Sequence, residues 1–170
     1  MARPLRISFP GAIFHIVSRG NANEEIFRDA ADRHFYLSLL DKYQQSLKFS
    51  LFAYTLMDNH IHLLLQINDH PLPKVMHLIN TAYTVYFNLK WERKGHLMQG
   101  RYYSALVQKE SYLLAVSRYI HLNPVRANLV KYPEQWPWSS CRAYLGLEKI
   151  NYVCVEEALA LLNDTYSSYK

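Results

Sequence analysis

The sequence is poor in cysteine, glycine and long apolar runs. Its 170 residues include two cysteines, Cys141 and Cys154, and five glycines. Two thiols without a CxxC pair exclude a disulfide framework and argue against a structural zinc site. No run approaches the roughly 18 apolar residues of a membrane span, and the charged N-terminal residues lack the apolar core of a signal peptide. We therefore expect a cytoplasmic protein with reduced cysteines and no membrane association.

The rest of the composition is that of an ordinary globular protein. Hydrophobic residues make up 50% of the chain and charged residues 19%, which argues against a disordered or collagen-like protein. A chain of this length typically forms one compact unit. We predict a core domain over residues 1–130 and a C-terminal appendage over residues 131–170, rich in proline and tryptophan at its start, that packs on the core.

Positive charge is concentrated in one part of the sequence. The chain has 19 basic and 14 acidic residues. Residues 90–131 hold eight of the basic residues and two of the acidic ones, whereas the rest of the chain is close to neutral. A regional basic excess is typical of a protein that binds a polyanion, although a solvated basic face without such a partner also fits the net charge of +5.

The pattern of apolar residues predicts the element order βαββαβα. Dense β-branched and aromatic runs between turns predict strands, and helical periodicity predicts helices. The predicted strands cover residues 11–18, 49–57, 59–67 and 96–108, and the predicted helices cover residues 24–48, 73–95 and 111–123. The third helix is predicted to end at Asn123, because the following proline disfavours helical backbone at that residue. Two short helical patterns follow at residues 139–145 and 155–162.

This order is typical of an α+β fold. We predict a small antiparallel sheet with helices on one face and a short helical C-terminal appendage. The second and third strands would form a hairpin with a tight turn at Asp58 and Asn59. Gly100 would bend or bulge the fourth strand.

Two histidines on the third predicted strand are candidate metal ligands. His60 and His62 are two residues apart, so that both side chains lie on one face of the strand, with Cβ atoms roughly 6–7 Å apart. Two imidazoles at this separation can converge on one cation. A pair of hydrogen-bonded core histidines is the alternative, because histidine is often partly buried.

A later helix carries a candidate nucleophile. Tyr119 and Asn123 are four residues apart, which puts their side chains on one helix face, one turn apart. The alternative is that Tyr119 is an amphipathic helix residue and that Asn123 caps the helix. His121 is expected on the opposite side of the helix, and the other histidines, including His15, have no ligand spacing.

Four motifs together resemble a known family. The two that carry the strand histidines and the helix tyrosine resemble the HUH single-tyrosine transposases of bacterial insertion sequences. The other two resemble the REP-associated tyrosine transposases, their domesticated relatives. The motifs are His60-Ile61-His62, Tyr119-Ile120-His121-Leu122-Asn123-Pro124, Met98-Gln99-Gly100-Arg101-Tyr102 and Trp136-Pro137-Trp138-Ser139-Ser140.

The resemblance implies a ferredoxin-like HUH endonuclease fold and metal-dependent cleavage and rejoining of single-stranded DNA at hairpins. Tyr119 would be the nucleophile, His60 and His62 would bind a divalent metal, and Asn123 would be the third, polar ligand. Attack would give a covalent 5′-phosphotyrosine and a free 3′-hydroxyl, which conserves the bond energy, so that no nucleotide cofactor is needed. Two imidazoles and an amide oxygen favour manganese over magnesium as the tighter binder, even if magnesium serves in the cell.

The expected partner is single-stranded or hairpin DNA, bound by a monomer or a homodimer, with a slight preference for a monomer. Unpaired bases could stack on the aromatic residues Tyr102, Tyr103, Trp136 and Trp138. Phosphate contacts would supply most of the affinity. The candidate phosphate-binding residues are Arg19, Lys90, Arg93, Lys94, Arg101, Arg118 and Arg126.

Two other functions remain open at this point. A DNA-hairpin-binding regulatory protein with this fold would keep the basic face without catalysis. A metal-dependent hydrolase of a small substrate is disfavoured by the concentrated positive charge.

Overall fold

The computed structural model describes residues 9–108 and 110–161. Four strands form one antiparallel sheet in the order β2-β3-β1-β4. No helix in these residues is long and apolar enough to cross a membrane. The strands are β1 (Ile13–Arg19), β2 (Ser50–Leu56), β3 (His60–Gln66) and β4 (Tyr103–Val107). The helices are α1 (Ala30–Leu47), α2 (Leu72–Lys90), α3 (Glu110–Arg126), α4 (Cys141–Tyr144) and α5 (Val155–Leu161), with 3₁₀ turns at Asn21–Asn23 and Pro133–Gln135.

The predicted α+β fold and element order are confirmed, but the helices cover both faces of the sheet. On one face α2 lies beside Ser18, whose hydroxyl accepts a hydrogen bond from Asn80 Nδ2 at 3.4 Å. Neighbouring residues of a strand point to opposite faces, so Val17 and its cross-strand partner His62 face the other way. There they meet α3, whose Tyr119 ring lies against the His62 ring. The prediction that the helices share one face is therefore wrong for α3, because a helix sequence shows how wide its apolar stripe is but not which sheet face receives it.

The main core lies between the sheet and the pair α1 and α2. The aromatic rings of Phe27, Tyr36 and Tyr83 contact one another there and are almost fully buried. Tyr83 also donates a hydrogen bond to the Ile26 carbonyl. This layer packs against one face of the sheet, and the candidate site lies on the opposite face.

Helix α1 begins at Ala30, later than predicted. The backbone N–H groups of Ile26 and Phe27 both donate to the Asp58 carbonyl in the β2–β3 turn, which holds this stretch outside a helix. Asp29 then caps α1 by accepting from the Asp32 N–H at 2.9 Å, in a capping box with the Asp32 side chain. Apolar spacing alone therefore extended the predicted helix into a loop that is fixed by tertiary contacts.

The second helix and the fourth strand are both shorter than predicted. Helix α2 ends at Lys90, after which Glu92 and Gly95 adopt positive φ values of 48° and 91°. Strand β4 starts at Tyr103, because Gly100 turns the chain with a φ of 61°. The bend expected at Gly100 is thus present.

Helix α3 continues through a proline instead of ending at Asn123. Pro124 has no N–H, so the carbonyl four residues earlier, that of Ile120, has no helical donor. The hydroxyl of Thr55 on β2 donates to this carbonyl at 2.9 Å. A bond from the sheet thus replaces the missing helical bond and lets α3 run on to Arg126.

The chain after α3 returns to the outer edge of β2. The Leu56 N–H donates to the Trp138 carbonyl at 2.9 Å, and the Ser140 N–H donates to the Tyr54 carbonyl at 3.1 Å. His121 lies on the side of α3 away from Tyr119, where its Nε2 is 2.8 Å from the Ser140 hydroxyl. Residues 138–140 therefore lie along the edge of β2 and form an isolated β-bridge between Ser139 and Thr55, and Tyr144, Val155 and Leu159 join the common core.

Candidate functional site

One row of side chains crosses the sheet beneath α3. Strand register aligns Thr55 of β2, His62 of β3, Val17 of β1 and Tyr103 of β4. Helix α3 is fixed to the β2 end of this row by the bond from Thr55 to Ile120, which places the preceding residue, Tyr119, over the middle of the row. The β4 end of the row opens into a cavity.

The two strand histidines lie side by side at the start of β3. The tight β2–β3 turn closes with a 2.9 Å bond from the Met57 N–H to the His60 carbonyl, so that β3 begins at His60. The ring centroids of His60 and His62 are 5.0 Å apart with an angle of 81° between the ring planes. His60 Nδ1 is 2.7 Å from Asn59 Oδ1, an acceptor, so this nitrogen carries the proton and Nε2 keeps a free lone pair.

A third histidine, which the sequence analysis set aside, belongs to the same face. His15 Nε2 is 3.1 Å from His62 Nδ1, and the two rings stack with centroids 5.3 Å apart. When His62 Nδ1 donates this bond, the Nε2 atom of His62 is free to bind a cation. Spacing along the chain could not reveal His15, because it is 47 residues from His62 and depends on the pairing of β1 with β3.

All three imidazoles are kept neutral by their surroundings. Burial lowers the pKa of His62 to about 3, and its neighbours His60, His15 and Arg19 act in the same direction. Burial also lowers the pKa of His15, and burial and then Arg19 lower the pKa of His60, against an opposing effect of Asp58. Neutral imidazoles are the form that ligates metal ions.

The candidate nucleophile meets the histidines within one chain. The Tyr119 ring centroid is 5.5 Å from that of His62 and 5.8 Å from that of His15, in edge-on contacts. Its side chain is partly open to solvent, with 37% of the residue exposed. The Arg126 guanidinium lies 4.9 Å from the Tyr119 ring centroid on the same helix face. The structure thus brings a partly exposed tyrosine, the candidate ligand His62 and a cation together.

The residues fit an open divalent-metal site. Asn123 Nδ2 donates a hydrogen bond to the Tyr119 carbonyl at 2.8 Å, which leaves the Asn123 Oδ1 atom, one turn beyond Tyr119, available as a metal ligand. In residues 9–108 and 110–161, no three His, Cys, Asp or Glu side chains form a group that could enclose a metal ion. A cation here would be held by two imidazoles and would need oxygen ligands from an amide, water or substrate. That donor set suits a site with vacant positions for a phosphate.

The predicted phosphate-binding residues lie in different places. Arg19 lines the cavity next to His62, and Arg126 lies over Tyr119. Arg118 is exposed on α3, next to Tyr119 in sequence. Arg101 lines a separate groove of about 830 Å³ between α2 and residues 96–102, and Lys94 is exposed in the loop after α2.

Two of the predicted phosphate-binding residues are held by carboxylates instead. Lys90 Nζ is 2.7 Å from both Asp29 and Asp32, at the start of α1. The Arg93 guanidinium is 2.5 Å from Glu24. Their charges are locally neutralised, whereas Arg19 and Arg126 lie at the site itself. Sequence charge counting missed this because the carboxylates lie about 60 to 70 residues away in the chain.

Comparison with known proteins shows the family of the chain. A family model described as "Transposase IS200 like" matches residues 8–123. A solved structure of a REP-associated tyrosine transposase bound to a REP hairpin superposes with a TM-score of 0.72 and 15% identity, covering 90% of this chain and 97% of that one. A putative transposase from Deinococcus radiodurans R1 matches with a TM-score of 0.48 and 16% identity, covering 71% of this chain and 94% of that one. No curated protein matched the sequence. The family match spans more than half of the sequence, and the chain belongs to the IS200-like transposase family.

Proposed function

We propose that this protein cleaves and rejoins single-stranded DNA beside hairpins in the cytoplasm, through a covalent phosphotyrosine formed by Tyr119. The observation that carries the proposal is the contact between Tyr119 and His62 across one sheet face. It puts a partly exposed tyrosine beside the imidazoles of His62 and His15, with the Arg126 guanidinium over its ring. The hairpin in the related solved structure supports the choice of substrate.

In this mechanism the phenol of Tyr119 gives up its proton to water, and its oxygen attacks the scissile phosphorus. The bond from phosphorus to the 3′ oxygen breaks, and the departing oxygen takes up a proton to become a 3′-hydroxyl. The phosphate then links the tyrosine to the 5′ end of the other DNA segment. A later attack by a 3′-hydroxyl reverses these events and joins a new strand. Because each exchange replaces one phosphodiester by another, no energy-rich cofactor is required.

The side chains around Tyr119 divide the remaining tasks. His60 and His62 would hold a divalent metal, Mg²⁺ or Mn²⁺, with Asn123 as the candidate third ligand. Such a metal neutralises a phosphate oxygen and makes phosphorus more electrophilic. Arg126 stabilises negative charge on the phenol oxygen through its position over the ring. Arg19, opposite His60 in the sheet register, attracts the incoming phosphate.

A covalent-adduct experiment tests the proposal. The protein is incubated with Mn²⁺ and DNA hairpins that carry unpaired flanks, and the products are separated on a denaturing gel. Wild-type protein should give a protein–DNA adduct and Tyr119→Phe should give none. Tyr132→Phe is the matched control, because Tyr132 is also an exposed tyrosine but lies in the loop after α3, outside the site. An adduct that persists in Tyr119→Phe removes the assignment.

A second variant separates catalysis from DNA binding alone. His60→Ala should keep its affinity for the hairpin and lose the adduct. If the protein is instead a regulatory DNA-binding protein, the wild type should form no adduct with DNA in the presence of any divalent ion. The intact arrangement of Tyr119, His60 and His62 favours the enzyme over this alternative.

A further inference from the structure

A cavity opens beside the proposed nucleophile, and its lining includes His15, His62 and Arg19 of the site described above. It has a volume of about 550 Å³ and lies between α3 and the β1–β4 side of the sheet. Tyr103 of β4, Tyr112 of α3 and Tyr119 contribute to its walls, with Val17 and Val116 at its base. A volume in this range accommodates a small planar group.

The aromatic side chains in the cavity walls are exposed to solvent, although burying them against a ligand would be energetically favourable. Tyr103 is 64% exposed and Tyr112 is 47% exposed. Tyr103 continues the sheet row of His62 and Val17, and Tyr112 is two helical turns before Tyr119 on the same helix face. Sheet and helix thus present two rings to one space, and exposed aromatic rings that face a shared cavity are typical of a binding site.

Charge defines the ligand further. Arg19 lines the cavity, and none of the described residues that line it carries a carboxylate. The cavity therefore suits a ligand with a flat apolar ring and an attached anion. An unpaired nucleotide has both, whereas a base pair within a duplex has its faces covered by stacking.

We propose that this cavity binds one unpaired base of the DNA substrate, stacked on Tyr103 and Tyr112, with its phosphate directed to Arg19. The inference rests on the proposed function, since it assigns the nucleotide next to the cleaved bond. Tyr103 and Tyr112 are then specificity-determining residues that select a single strand over a duplex and set the position of the cut.

A binding experiment without chemistry tests the cavity. Affinity is measured by fluorescence anisotropy in EDTA, with a labelled DNA hairpin that carries unpaired thymidine flanks of about eight nucleotides. Single abasic nucleotides are placed at each flank position in turn. For the wild type we expect one flank position at which loss of the base weakens binding about tenfold, and weaker binding when the flanks are paired with complementary strands.

Substitutions then connect that position to the cavity. Tyr103→Ala and Tyr112→Ala should each weaken binding of the intact flank about tenfold and abolish the abasic effect, whereas Tyr103→Phe should retain both. Tyr132→Ala, at an exposed tyrosine outside the cavity, should leave the affinity unchanged. Photocrosslinking of 5-iodouracil placed at the sensitive position should label Tyr103 or Tyr112, which checks the assignment in the unaltered protein.

The outcomes distinguish this inference from the proposed function. Wild-type affinity and an unchanged abasic profile in both alanine variants, or crosslinks only outside the cavity, would overturn the cavity assignment. The Tyr119 adduct could still form in that case, and the proposed function would stand. If the wild type bound no hairpin at all, both would fail.

Discussion

Removal of one hydroxyl should loosen helix α3 from the sheet. In Thr55→Val the side chain keeps its shape but no longer donates to the Ile120 carbonyl, and both residues are fully buried. A buried carbonyl left without a donor costs about 1–3 kcal/mol. The added methyl group offsets part of this, at about 0.8 kcal/mol per buried carbon. We expect the free energy of unfolding to fall by roughly 0.2–2 kcal/mol, measured by urea denaturation followed by circular dichroism.

A double-mutant cycle tests the reason for this loss. Pro124→Ala restores a backbone N–H that can bond to the Ile120 carbonyl within the helix. In that background Thr55→Val should cost less than about 0.5 kcal/mol, because the carbonyl has a second donor. Equal costs of Thr55→Val in the two backgrounds would refute the reasoning, since the hydroxyl would then not be compensating for the proline.

Three further predictions concern the site and its charges. His15→Phe should weaken Mn²⁺ binding about 10- to 100-fold in titration calorimetry, with partial recovery in His15→Gln; unchanged affinity would exclude a role in orienting the ligand. Burial lowers the pKa of His121 to about 3 from 6.5, so that the unfolded chain binds a proton at higher pH than the folded chain does. The free energy of unfolding should therefore decline as the pH falls from 6.5 towards 3, by up to about 1.4 kcal/mol per pH unit. His121→Gln should flatten this dependence in denaturation curves, and an identical slope would contradict the assignment. Arg19→Gln should reduce the salt dependence of single-strand binding by about one counterion, and Arg93→Gln, which removes a charge already paired with Glu24, should change it little; equal effects would show that the ion pair opens on DNA.

Local spacing places the candidate residues on shared faces, but it is the resemblance of the motifs that selects Tyr119 among the 14 tyrosines of the chain. The two-residue period of a strand places His60 and His62 on one face, and the four-residue period of a helix places Tyr119 near Asn123. Both relations are local, so they survive errors of a few residues in the element boundaries. The roles assigned to these residues stay predictions until the adduct experiment is done.

Information that depends on strand order and on side-chain pairing was not accessible from local patterns. His15 joins the site only because β1 lies between β3 and β4. Lys90 is removed from the DNA-facing cations by carboxylates near the start of α1. Pro124 was taken as a helix end, because the donor that rescues the helix, Thr55, is on a distant strand.

Residues 138–140, which lie along the edge of β2, have a consequence for truncated forms of the protein. A β-strand at the border of a sheet exposes unpaired amide and carbonyl groups that recruit other chains into aggregates. Here the protein shields β2 with its own later sequence, through the bonds at Leu56 and Tyr54. Truncation before Trp138 would keep every candidate catalytic residue but would expose the edge of β2 and make the fragment prone to aggregation. Residues 138–161 thus cover the edge of β2 and contribute to the core, and fragments made for DNA-binding experiments should retain them.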